Sequence, residues 1–203
     1  MLSTDENKTA TEWSSDGRFV LFNVQDATRG ADIWAWSLTG QGTPFPVAQT
    51  AFAEQGGQFS PDGHWIAYQS NESGRAEIYV QPFPGPGNKW IVSTNGGTQA
   101  RWRRDGKELF YVARDGRVMA VPIQLTSNTQ APAVGTPVPL FAPALGGAVA
   151  RGDARHQYVV SSDGQRLLVA TVTDAVTAPI TIILHCTPAP SDAVSRPCKP
   201  RRV

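Results

Sequence analysis

Four of the five aspartates that are followed by glycine are the first residues whose type and spacing could do chemistry: Asp16-Gly17, Asp62-Gly63, Asp105-Gly106 and Asp163-Gly164. A hard cation takes about six to eight oxygens converging on one point. Here the carboxylates stand 46, 43 and 58 residues apart, one per segment. That pattern suits turns instead. Asp accepts hydrogen bonds from nearby backbone amides, and glycine takes the left-handed conformation that closes a hairpin. The expected metal and cofactor content is therefore none.

The other reactive side chains are scattered. His64, His156 and His185 share no ligand spacing, and Cys186 and Cys198 stand twelve residues apart without a second pair, which matches no zinc pattern. No Gly-x-Ser-x-Gly elbow, phosphate-cradling glycine loop, His-Arg-Asp loop or Asp-Phe-Gly motif occurs. Gly40-Gln-Gly42 and Gly85-Pro-Gly87 read as loop glycines. No catalytic residue is assigned, and the chain reads as non-catalytic. A net charge of +1 gives no footprint for nucleic acid. No apolar run approaches the roughly 20 residues that span a bilayer, so no membrane contact is expected of this segment.

The elements around the aspartates repeat. Trp13-Ser-Ser-Asp-Gly-Arg-Phe-Val-Leu-Phe22, Phe59-Ser-Pro-Asp-Gly-His-Trp-Ile-Ala-Tyr68, Trp102-Arg-Arg-Asp-Gly-Lys-Glu-Leu-Phe-Tyr111 and Val160-Ser-Ser-Asp-Gly-Gln-Arg-Leu-Leu-Val169 align on the Asp-Gly pair. Periods of about 40–50 residues belong to propeller blades. A further apolar strand follows in each unit (Ile33–Trp36, Ile78–Val80, Val118–Val121, Ile180–Leu184). A fourth follows in the first three (44–47, 89–92, 136–141). No 3.6-residue apolar period occurs, so no helix is expected. The predicted fold is all-β: a β-propeller of four-stranded antiparallel blades, about four of them, forming part of a larger propeller. The blades are placed at 9–50, 51–97, 98–141 and 154–187, with an insert at 142–153 and disordered ends at 1–8 and 188–203. The last unit lacks an evident fourth strand. The recurring aromatics Trp13, Phe59 and Trp102 are expected to pack between blades.

These motifs resemble the WD40-like (PD40) repeat of TolB-type propellers. Gln58–Gly74, Ile78–Gly85 and Arg101–Tyr111 are similar to the propeller that ends many bacterial serine/threonine protein kinases. The resemblance implies a sensor or protein-interaction module, the C-terminal part of a larger receptor-type kinase, lying outside the cytoplasm if attached to a membrane-spanning kinase. Two alternatives stay open: the propeller of a prolyl-oligopeptidase-type serine peptidase, and a stand-alone TolB-like periplasmic scaffold. In such a fold the first strand of each blade lines a central channel. The segments entering those strands are then expected to form a polar rim of Glu54, Gln58, Gln99, Arg101 and His156. The expected partners are remaining blades or a second copy of the chain, and an unknown protein or small ligand at the channel mouth.

Overall fold

The Asp-Gly turn decides the local fold four times over. In the first, Asp16 Oδ1 accepts the Arg18 amide (3.0 Å) and the Ser14 hydroxyl (2.7 Å), and Ser14 Oγ in turn accepts the Phe19 amide (2.8 Å). Ser60-Asp62-Trp65 and Ser161-Asp163-Arg166 repeat this relay. In the third turn Arg103 replaces the serine, and its guanidinium grips Asp105 through Nε (2.7 Å) and Nη2 (2.9 Å). Gly17, Gly63, Gly106 and Gly164 take φ of +71°, +73°, +72° and +71°. Asp-Gly thus sets the geometry, and the residue two before the aspartate can differ because it only anchors the carboxylate.

A computed structural model describes residues 7–28, 30–40, 42–85, 87–126, 131–143, 145 and 156–171, together with the backbone of 180–184 and 199–202. Each turn joins the first two strands of an antiparallel sheet. The first blade is β1 (Lys8–Trp13), β2 (Phe19–Asp26), β3 (Gly30–Ser37) and β4 (Phe45–Ala48). The second is β5 (Glu54–Phe59), β6 (Trp65–Ser70), β7 (Glu77–Pro82) and β8 (Trp90–Ile91). The third is β9 (Gly97–Trp102), β10 (Glu108–Ala113) and β11 (Val118–Gln124), with β12 (Ala133–Val134) and β13 (Val138–Phe141) both on the free edge of β11. The fourth is β14 (Tyr158–Val160), β15 (Arg166–Ala170), β16 (Ile180–Leu184) and β17 (Lys199–Arg202). The all-β, four-bladed organisation agrees with the repeat.

Three expectations are corrected. Lys199–Arg202 pairs with Thr181–Leu184 as the missing fourth strand, so these residues are not a loose tail. Lys8 belongs to β1, and the Asn7 carbonyl accepts the Gln25 amide (2.9 Å), so order begins before residue 9. Glu54–Phe59 and Gly97–Trp102 are strands, not loops. Their glycines disguise them. Each strand carries a bulge, between Gln55 and Gln58 and opposite Tyr111, where Gly56 (φ +70°) and Gln99 (φ +59°) take the left-handed backbone that bulges use. Cys186, Cys198 and His185 lie outside the described residues, as does most of the insert.

Period-two alternation sends side chains of one sheet into two different cores. Leu21, Ile33 and Ala35 of blade one meet Phe59, Ile66, Tyr68, Tyr79 and Phe83 of blade two. Trp65, Ala67, Ile78 and Val80 of blade two meet Ala100, Leu109, Tyr111, Val121 and Ile123 of blade three. Phe110, Val112, Val118 and Ala120 of blade three meet Tyr158, Leu167 and Val169 of blade four. The turns stack as well. Ser15 Oγ reaches the Pro61 carbonyl (3.3 Å), and Arg103 lies across Gly164, where an added Cβ would stand 2.5 Å from Arg103 Cδ.

That contact separates two glycines of the same φ. Gly63→Ala meets nothing within 4 Å and should cost about 1–2 kcal/mol from backbone strain alone. Gly164→Ala should cost more, because Arg103 is pinned by Asp105 and Glu108. Denaturant midpoints check this, and equal losses would count against the packing of Arg103 on Gly164.

Candidate functional site

The first strands β1, β5, β9 and β14 stand side by side in chain order. The residue before the repeated aromatic position is Glu12, Gln58, Arg101 or Val159, paired across the sheet with Leu21, Ala67, Phe110 or Leu168. These four residues, with Trp13, Trp102, Ser15, Ser60 and Pro61, line a cavity of about 360 Å³. It opens at the C-terminal ends of the first strands, beside the Asp-Gly turns. The expected rim lay at the opposite, N-terminal ends.

Arg101 organises the site. Its Nη1 donates to Gln58 Oε1 (2.8 Å), and Trp102 Nε1 donates to the Gln58 carbonyl (3.3 Å). The first bond fixes the Gln58 amide so that Nε2 points away from Arg101. Gln58 is 3% exposed, yet its Nε2 has no partner, and neither does Arg101 Nε. Glu12 Oε2 accepts the Phe59 amide. Burial pushes the Glu12 carboxyl up to about 7, although that amide and the Arg101 charge pull it down. His156 feels the Arg101 charge but does not line the cavity. Burial and then the Arg101 charge depress its imidazole to about 4, against a hydrogen bond to the Ala100 backbone, and its Nε2 is buried without a partner.

The five predicted rim residues therefore separate. Gln58 and Arg101 meet in the cavity, and His156 feels the Arg101 charge without lining it. Gln99 is a seam between blades: its side chain exchanges two hydrogen bonds with Gln157 (2.8 and 3.1 Å), and its carbonyl accepts Tyr158 OH (2.8 Å). Glu54 is wholly buried, where it accepts Thr50 Oγ1 (2.5 Å), the Thr50 amide (3.2 Å) and Ser70 Oγ (3.2 Å). Burial raises its pKa against those bonds. Glu54 latches the segment that enters β5 and does not reach the cavity. Glu12 was missed, although it shares the repeat position of Gln58 and Arg101. Trp13 does not pack between blades as expected. It is 64% exposed at the cavity wall, while its equivalent Phe59 is buried edge-on against Phe83 (5.1 Å).

Chemically the cavity offers a carboxyl near neutrality, a guanidinium, an amide and an exposed indole. Its hydroxyls are committed: Ser60 Oγ to the turn and Ser15 Oγ to the Pro61 carbonyl. The turn aspartates remain turn residues, and the Arg18 amide followed by the Ser14 hydroxyl holds Asp16 at about 2. Among the described residues no cluster of three His, Cys, Asp or Glu side chains could hold a metal, and no helix is long and apolar enough to cross a membrane.

No protein-family profile and no curated protein matches the sequence. Solved structures do match its shape. TolB from Acinetobacter baumannii superposes with a TM-score of 0.63 at 18% identity, over 90% of this chain and 41% of that one. A TolB-type protein of Agrobacterium tumefaciens gives 0.60 at 15%, over 91% and 62%. Oligogalacturonate lyase in complex with manganese gives 0.57 at 14%, over 84% and 46%. The fold is a TolB-like β-propeller. The chain spans less than two thirds of either TolB structure, and at these identities the likeness of the propellers extends to fold alone.

The opposed shifts of Glu12 and His156 give a pH test. Folded Glu12 keeps a proton that the unfolded chain releases near 4.5, so its contribution to stability falls as pH rises from 4.5 to about 7. Folded His156 releases a proton that the unfolded chain keeps up to 6.5, so its contribution rises from about 4 to 6.5. Relative to wild type, Glu12→Gln should tilt the stability profile upward with pH, and His156→Gln should tilt it downward. Urea midpoints at about pH 5, 6 and 7 read both slopes. A variant profile parallel to wild type would refute the shift assigned to that residue.

Proposed function

We propose that this chain is a non-catalytic propeller module that recognises a polar ligand or partner group in the cavity formed by Glu12, Gln58 and Arg101. The observation that carries this reading is the pair of orphan donors, Gln58 Nε2 and Arg101 Nε, on adjacent strands of one cavity. Buried donors without partners cost about 1–3 kcal/mol each. Both side chains line the cavity, and in this reading a ligand's acceptor oxygen displaces the neighbouring atoms that now cover the two donors. Trp13 adds an exposed aromatic face at the same wall.

The similarity of Gln58–Gly74 and Arg101–Tyr111 to kinase-terminal propellers supports a finer proposal. The module would be the sensing part of a larger bacterial receptor-type serine/threonine kinase, held outside the cytoplasm. The reading frame around these residues tests this: a kinase domain and one membrane span upstream support it, and a signal peptide alone favours a stand-alone scaffold.

Recognition in the cavity can be measured directly. Thermal-shift titrations with a panel of carboxylates, amino acids and neutral sugars should yield a probe that stabilises wild type. Gln58→Ala and Arg101→Ala should each weaken its binding about tenfold, the equivalent of one lost hydrogen bond to a charged group. Unchanged affinity in both variants would move recognition out of this cavity.

A further inference from the structure

The repeat allows one residue position to be compared in four environments. The fifth residue after the turn aspartate is Leu21, Ala67, Phe110 or Leu168. In the first three blades it faces the next blade and is sealed by it, at 0%, 0% and 1% exposure. In the fourth it is 41% exposed, and its cross-strand partner Val159 is 49% exposed. The flanking Arg166 and Ala170 are exposed too, so β15 alternates exposed and buried along its length. Single exposed apolar residues need no explanation. A cross-strand apolar pair at a position the fold buries three times out of three does.

The first strand points the same way. Glu12, Gln58 and Arg101 are polar at the position where blade four has Val159. Glu12 uses its carboxylate on the next blade's Phe59 amide, and Gln58 takes the next blade's Arg101. Val159 instead presents an apolar surface beside Leu168. On the receiving side, each blade offers the fourth and sixth residues after its aspartate: Ile66 and Tyr68, Leu109 and Tyr111, Leu167 and Val169, all buried. The partner's chemistry follows from these pairs.

We propose that the outward face of the fourth blade, centred on Val159 and Leu168, is the docking surface for a further four-stranded blade of the same repeat. That blade presents apolar side chains at the fourth and sixth positions after its turn aspartate. The interface continues the three inter-blade cores already formed. It also accords with a chain that spans 41% and 62% of the two TolB structures. Val159 also lines the cavity, but Leu168, whose labelling reads the docking, does not, so this proposal and the recognition reading fail separately.

The test extends the chain. Residues 49–93, which carry the second blade and its native connector, are appended after Val203. Leu168→Cys, in a Cys186→Ser, Cys198→Ser background, reports on the face through its rate of modification by a thiol reagent. Appending the blade should slow labelling by about tenfold or more, and the same appended blade carrying Ile66→Asp and Tyr68→Asp should not slow it. Equal rates with and without the added blade would overturn the proposal, as would protection that survives the two aspartates. Concentration-dependent self-association of the unextended chain, abolished by Leu168→Glu, would overturn it in favour of a second copy.

Discussion

The inner sheets of this propeller, those of blades two and three, are packed on both faces, and that constraint governs the rest of the structure. A strand with period-two alternation normally keeps one face for solvent. In β6 and β7 every residue is buried, because alternate side chains serve two separate cores. Trp65 and Ala67 look forward to blade three, while Ile66 and Tyr68 look back to blade one. No blade can bury its apolar residues alone, so stability is a property of neighbouring pairs. On the last forward-facing surface, among the described residues, the same constraint leaves Val159 and Leu168 exposed.

Constant spacing between blades then has to be maintained where the sheets converge. The Asp-Gly turns do this with local hydrogen bonds and little side-chain variety. Arg103 shows how much latitude remains: a guanidinium replaces a serine hydroxyl because either group can hold the aspartate. It also reaches across to Gly164 of the following turn, a contact that a serine could not make.

Whatever rests on local chemistry was legible in the sequence. The Asp-Gly pairs located the hairpins, and aromatic and β-branched runs located the second and third strands. The glycine-rich entries to β5 and β9 were not legible, because a bulged strand and a loop use the same residues. β17 was hidden for a different reason. Lys-Pro-Arg-Arg has no apolar pattern, and an outermost strand can be recruited by backbone pairing with one edge, where proline is tolerated. Of the expected rim residues, Gln58 and Arg101 line the cavity, and His156 lies outside its lining. The separation of Gln99 and Glu54 from them depends on partners such as Gln157 and Ser70, which no local pattern announces.

The polar groups in the cavity sit where packing would favour apolar ones. Val159 shows that the fold accepts an apolar residue at the position of Glu12, Gln58 and Arg101. Buried Gln58 and half-buried Glu12 and Arg101 carry desolvation costs there that their mutual bonds offset only in part, since Gln58 Nε2 and Arg101 Nε go unpaired. The shifts of Glu12 upward and His156 downward express the same cost in protons. Local rules broken without structural compensation are characteristic of sites kept for binding. The cavity, rather than the conspicuous aspartates of the turns, is where this propeller departs from what folding alone requires.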